Sequence, residues 1–230
     1  MYNSLSHRWY LFHGSCARYF GKREGKKSKA DIGCPSFKKI IMLLSDNIGS
    51  IVSTTSIGNI LVNEGLLEDS KRKGIPSGHT IQNYIEVLLE SYFFYEIKRF
   101  DIKRKEYLKT LGKYYVVDVG LRNYLLGIRD RDRGHILENI VYLELLRRGY
   151  DVAIGKIDNL EIDFIATNAD EKIYIQVTES MTEEVVRKRE LTPLQKIADN
   201  YEKLIISVDE EESISYEGIK QLNLIEGLLQ

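Results

Sequence analysis

A mixed α/β fold in two parts is what the sequence predicts, and three observations predict it. Apolar residues recur with the helical period before residue 92, whereas alternating apolar runs dominate after residue 150. Formal charge changes sign between the two regions: residues 1–133 carry 23 bases and 14 acids, residues 134–230 carry 10 bases and 20 acids, and the net charge is only −1. The change falls at Arg129–Gly134, a charged stretch ending in glycine that suits a boundary. The chain is therefore divided into a segment 1–35 without clear type, a basic part 36–130 and an acidic part 131–230.

Three helices are expected in the basic part. The first covers Ser36–Asn47, with Phe37, Ile40, Ile41 and Leu44 on one face and Pro35 just ahead of it. A second runs from Thr54 to about Leu67, with Ser53 as its N-cap. The third starts near Ser77 or Gly78; Ile81, Tyr84, Ile85, Leu88 and Leu89 form its buried stripe and His79, Gln82, Asn83 and Glu86 its polar face. The period then shortens. An aromatic and β-branched run to Phe100, a polar tip, and a second run Tyr114–Val117 read as a β-ribbon.

Three helices followed by a ribbon is the order of a winged helix, whose third helix reads the major groove in its DNA-binding form. The ribbon from Lys98 to Lys113 holds seven bases (Lys98, Arg99, Lys103, Arg104, Lys105, Lys109 and Lys113) against Asp101 and Glu106. Phosphate contact is the functional expectation there, with His79, Gln82 and Asn83 facing the bases. A solvated basic face, or a contact for the acidic part, is the competing one.

Other signals are dismissed. The longest apolar runs fall far short of the roughly 20 residues of a spanning helix, and the N-terminus lacks a basic leader with a smooth apolar stretch, so a cytoplasmic protein without membrane contact is expected. Cys16, Cys34, His7 and His13 have one close pair where a zinc site needs two, so ordinary thiols and imidazoles are the better reading. Gly21–Ser28 has three residues between its glycines where a phosphate loop has four, and no strand leads into it.

The acidic part should run helix, strand, strand, strand, helix, strand. His135–Gly149 is the helix, with Glu138 one turn ahead of Val141 and Tyr142; that acid either serves the helix N-terminus or faces a cleft. Asp151–Gly155 follows as a strand, then a hairpin over Glu161–Ser180. Side-chain alternation places Ile162, Phe164 and Ala166 on one face and Ile173, Ile175 and Val177 opposite them. With the turn at Asn168–Glu171, Ala166 pairs with Ile173 and Phe164 with Ile175. Asp163 then lies opposite Gln176 and Thr178 opposite Glu161, away from the core-facing set.

These stretches, "GHILENIVYLELLRRGYDV", "EIDFIA" and "KIYIQVT", with "KYYVVDVGLRNYLLG" ahead of them, resemble the C-terminal region of a large prokaryotic family of AAA+-type ATPases. In that family a P-loop ATPase module precedes a winged helix and a domain of unknown function similar to the PD-(D/E)xK nuclease fold. The resemblance covers about Phe37–Gln230 and implies a restriction-endonuclease-like α/β domain with a central mixed sheet. It also implies that Glu138 is the helix acid and Asp163 the central acid, while Gln176 and Thr178 occupy the places of the second acid and the lysine. No ATPase module is seen in this chain, so ATP binding is not transferred.

A divalent-ion site needs the charge that Gln176 lacks, and Thr178 supplies no cation for phosphate. The favoured expectation is therefore a non-catalytic or weakly catalytic module that binds DNA, or a protein such as an ATPase module, through its basic winged helix. The alternatives are a Mg²⁺- or Mn²⁺-dependent DNA nuclease using Glu138 and Asp163 as metal ligands, with Glu161 preferred over Glu179 as a displaced acid, and a scaffold for protein contacts.

Overall fold

The computed structural model describes residues 35–63, 78–108, 112–210 and 214–229. Cys16, Cys34, His7, His13, the Gly21–Ser28 segment and Lys109 lie outside them. The described residues form a mixed α/β chain with seven α-helices, an eight-stranded mixed sheet and a two-stranded ribbon. They divide into two compact units, and the division is discontinuous in sequence. The first comprises the described residues up to Asn47, Val52–Tyr95 and Val116–Ile128; the second comprises Ile48–Ile51, Glu96–Tyr115 and Arg129 onward.

In the first unit, α1 (Pro35–Asp46), α2 (Thr54–Asn63) and α3 (Gly78–Glu90) are the expected helices. Phe37, Ile40, Ile41, Leu44, Ile57, Leu61, Ile81, Ile85 and Leu88 are buried, as the helical period requires. A fourth helix, α4 (Val119–Leu126), follows the ribbon and has no counterpart in the sequence reading. Asp118 caps it, its carboxylate accepting from the Gly120 and Leu121 amides. Arg122 on α4 is fully buried and donates through Nε to the Ser45 carbonyl at 2.9 Å.

The predicted ribbon is split. β1 (Phe94–Ile97) pairs with β4 (Lys113–Val116), but the tip between them, β2 (Arg99–Asp101) and β3 (Glu106–Tyr107), forms the edge of the large sheet. β2 runs parallel to β5 (Asp151–Ile157), with Phe100 opposite Gly155. The tip is thus built into the second unit, because the ladder bonds and Phe100 burial it gains there exceed what a free two-stranded ribbon offers.

The sheet order is β3-β2-β5-β6-β7-β8-β10-β9, with β6 (Leu160–Thr167), β7 (Lys172–Val177), β8 (Glu202–Ser207), β9 (Ser215–Tyr216) and β10 (Ile219–Asn223). β5, β6 and β7 are antiparallel neighbours; β7, β8 and β10 are parallel. α5 (Arg133–Arg147) carries Tyr142, which stacks on Phe164 and on Tyr115 of β4. α6 (Glu184–Gln195) supplies Leu191 and Leu194 to a cluster with Ile162, Ile165, Tyr174 and Ile205. A short helix α7 (Leu224–Leu229) ends the described chain.

The β6–β7 register is the predicted one, Phe164 opposite Ile175 and Ala166 opposite Ile173. The facing of Ile162 is not. On β5, Ala153 pairs with Ile165 and Gly155 with Ile162, so Asp163 and Phe164 together oppose Ile154. This β-bulge breaks the alternation: Phe164 faces Tyr115 and Tyr142, while Ile162 joins Ile165 in the α6 cluster. Both isoleucines then crowd Gly155, where an added Cβ would lie 2.9 Å from Ile162 Cβ and 3.2 Å from Ile165 Cγ1.

Candidate functional site: an acid-lined cleft at a strand bulge

Asp163 owes its position to that bulge. Beyond the Phe164–Ile175 pair the ladder between β6 and β7 ends, and β7 continues only against β8, through Gln176–Ile205 and Val177–Ile206. Two side chains fill the gap. The Asp163 amide donates to Gln176 Oε1 at 2.8 Å, and Asp163 Oδ2 accepts from the Val177 amide at 2.8 Å. The predicted juxtaposition of Asp163 and Gln176 is therefore present, held by reciprocal side-chain to backbone bonds rather than by ladder pairing.

A cleft of about 650 Å³ opens there, lined among others by His135, Glu138, Asp163, Thr178, Glu179 and Glu190. Glu138, Asp163 and Thr178 from the predicted set line it directly. Gln176 is buried just behind, its Nε2 donating to Glu190 Oε2 of α6 at 3.0 Å. Glu190 is itself buried and accepts from the neighbouring Arg189 at 2.6 Å.

Glu138 is the centre of a second network. Its Oε2 accepts from the Tyr115 hydroxyl at 2.8 Å and lies 3.5 Å from Lys113 Nζ; His135 Nδ1 is 3.5 Å from Oε1. Lys113 reaches further, to Glu161 Oε1 at 2.7 Å. Gly49, at φ +70°, passes so close that a Cβ would meet His135 Nδ1 at 2.8 Å and Glu138 Oε2 at 2.9 Å. Only glycine combines that backbone with that approach.

The charges are unequal in their comfort. Burial disfavours the Glu138 anion, yet His135, Lys113 and Tyr115 outweigh it and hold Glu138 below the usual carboxylate range. Burial and the adjacent Glu138 charge push Asp163 up to about 8, a rise that Lys113 and the Val177 amide only partly offset. Lys113, although buried, is held above its ordinary value by Glu138, Asp163 and Glu161. Within the pair, Glu138 is therefore the acid that favours its charged form and Asp163 the one that holds its proton more tightly.

Glu161, the expected displaced acid, does not line the cleft; it is paired with Lys113 and approaches Arg99 at 3.9 Å. Glu179 does line the cleft. Glu161 and Asp163 both lie on the side of β6 that Lys113 faces, as strand parity expects, but Glu161 is engaged by Lys113 instead of lining the cleft. Glu190 and Lys113 were missed as members of this site. The buried amide of Gln176 offered one signal for an acid, since its NH₂ must find an acceptor. Lys113 carried another: it stands directly ahead of the apolar run Tyr114–Val117, and the structure buries it with that strand.

The predicted nucleic-acid residues are distributed differently. His79, Gln82 and Asn83 are exposed on α3, as expected. Lys103 is paired with Asp158 at 2.6 Å, and Arg104 approaches Asp101 and Glu106 at 3.9 Å. Arg99 is half-buried beside Glu161, whereas Lys98 and Lys105 are exposed. No described helix is long and apolar enough to cross a membrane.

Comparison with known proteins gives similarity without function. Residues 23–132 match a domain of unknown function, DUF8612. Lys113 and Tyr115 lie inside that match; Glu138, Asp163 and Glu190 lie beyond it. The chain is 40% identical over 193 residues to an uncharacterized protein of Haemophilus influenzae, covering 84% of this chain and 46% of that protein. It is 31% identical over 144 residues to the uncharacterized protein MJ1544 of Methanocaldococcus jannaschii, covering 59% of this chain and 31% of that one. The chain thus spans less than half the length of these curated relatives. Against the crystal structure of protein VC1899 from Vibrio cholerae the TM-score is 0.25 at 10% identity, covering 84% of this chain and 53% of that one, and nothing rests on that likeness. The chain contains a match to DUF8612 and is similar to uncharacterized proteins.

Proposed function

We propose that the cleft at Asp163 is a divalent-cation site for phosphodiester hydrolysis, in a nuclease-like domain that accompanies a winged helix as in the C-terminal region of AAA+-type ATPases. One observation carries the reading: Asp163 is set by a strand bulge into a cleft with Glu138 and Glu190, and the crowding pushes its carboxyl up to about 8. Such a placement costs stability in the free protein, and a cation relieves it. Perturbed acids gathered in a cleft are the physical signature of a functional site.

The donors fit Mg²⁺ or Mn²⁺, which take carboxylate oxygens. No set of three His, Cys, Asp or Glu suited to a metal is assembled among the described residues. Asp163 with Glu138 would therefore hold the ion, in the sparse manner of sites where phosphate oxygens complete the shell. A divalent ion bound there neutralises charge on phosphate and acidifies a bound water. Glu138 is kept ionised by Lys113 and Tyr115, and Glu190 holds Gln176 so that its carbonyl supports the Asp163 backbone.

A second reading is favoured by a different observation. Glu138 and Glu190 already accept from Tyr115, Gln176 and Arg189, as a silent domain would arrange them. In that case the module acts by binding DNA or a protein partner. Calorimetric titration with Mn²⁺, alongside cleavage of supercoiled and single-stranded DNA, separates the two. The first reading predicts binding and cleavage that Asp163→Asn abolishes; cleavage unaffected by Asp163→Asn would remove this site from the chemistry.

A further inference from the structure

Lys113 is an unusual occupant of a strand. It is only 4% exposed, it does not line the cleft, and its ammonium is shared between Glu161 at 2.7 Å and Glu138 at 3.5 Å. Buried lysines are rare because removing an ammonium from water is costly unless it is paired. Two acids pair with it, Glu138 from α5 and Glu161 from β6, and the charge of Asp163 on β6 adds to the negative field around it. The other charged groups nearby are Arg99 of β2, 3.9 Å from Glu161, His135 of α5, 3.5 Å from Glu138, and Glu190 of α6 across the cleft. Lys113 is thus the one cation close to both Glu138 and Glu161 among the described residues.

Resting on the cation-site reading above, we infer that Lys113 is a built-in counter-cation that sets how tightly the cleft takes a divalent ion. It stabilises the acids when the cleft is free, and its positive charge opposes the entry of another. Asp163 and Glu138 would be the ligands; Lys113 is a positioning residue that acts through Glu138. Its place behind the acids makes it a regulator of affinity rather than a contact for phosphate.

The sign of the effect separates this role from packing. Loss of a merely structural lysine would weaken both the fold and the site. Loss of a counter-cation destabilises the free protein but tightens Mn²⁺ binding, because the local field becomes more negative. The experiment is calorimetric Mn²⁺ titration of the full chain and its variants, with the melting temperature recorded with and without Mn²⁺. Lys113→Met should melt lower without metal, bind Mn²⁺ about tenfold more tightly at low salt, and gain more from Mn²⁺ than the parent does. Glu161→Gln, at a more exposed position than Lys113, should shift affinity in the opposite direction by making the surroundings less negative. Unchanged or weaker Mn²⁺ binding in Lys113→Met, or unchanged binding in Glu161→Gln, would overturn the inference. Binding by the parent with no such shifts would leave the cation site standing and remove only the role of Lys113. Absence of Mn²⁺ binding in parent and variants alike would remove both, and binding that emerges only in Lys113→Met would uphold the counter-cation while overturning a cation site in the native chain.

Discussion

Asp163 and Glu138 lie in one cleft and their pKa values are displaced in opposite directions, which makes the pH dependence of stability a direct probe of the site. An acid whose folded-state pKa is raised binds a proton that the unfolded chain has lost, so stability falls as pH rises from about 4 towards the folded value near 8. Glu138, lowered, contributes stability above its ordinary range that is lost on acidification. Asp163→Asn keeps an acceptor for the Val177 amide and removes the titration. The melting temperature of the variant should therefore exceed that of the parent by a margin that grows between pH 4 and pH 8 in metal-free buffer, and a constant margin would contradict the assignment. Gly49→Ala tests the neighbouring approach: a Cβ 2.9 Å from Glu138 Oε2, on a backbone at φ +70°, should destabilise by about 1–3 kcal/mol in urea unfolding. The acid pair was legible in the sequence because strand alternation and a helix acid are local signals. The partners of that pair were not: Lys113 and Glu190 reach it through tertiary placement, which spacing does not encode.

The bulge in β6 is the element on which the site depends. Period-2 reasoning read the β6–β7 register correctly from the apolar sets of each arm, but it could not see two residues opposing one on the other neighbour, β5. Gly155 was a visible cue, a glycine within a strand pattern, which often marks close approach. Gly155→Val would force a side chain onto Ile162 and Ile165 and should cost about 1–3 kcal/mol. Its second consequence is the informative one: by altering the bulge it should weaken Mn²⁺ binding, although it touches none of the acids. Stability lost without any change in Mn²⁺ affinity would show that the bulge does not aim Asp163. The split ribbon was likewise hidden, since β2 and β3 read as the tip of a hairpin while their pairing with β5 is a long-range event.

At the scale of the whole molecule, the opposed charge of the two sequence halves is partly spent internally. Lys103 pairs with Asp158 of the acidic half, while Arg104 approaches Asp101 and Glu106 of its own basic half. On the DNA-binding reading, reversing Lys103, Arg104 and Lys105 together to Glu should weaken duplex binding and flatten its log–log salt slope. An unchanged slope would remove the basic tip from that reading. The helical part of the basic region was largely predictable because its apolar stripes are strong; α4 escaped notice because only eight residues form it and its burial rests on Arg122 rather than on a stripe. The chain covers 46% of the length of its Haemophilus influenzae relative. The central claim, a working cation site at Asp163, is tested most directly by Mn²⁺ titration and plasmid cleavage with the parent chain and Asp163→Asn side by side. Metal binding and cleavage in the parent, both lost in the variant, are the predicted result; no Mn²⁺ binding by the parent would contradict it.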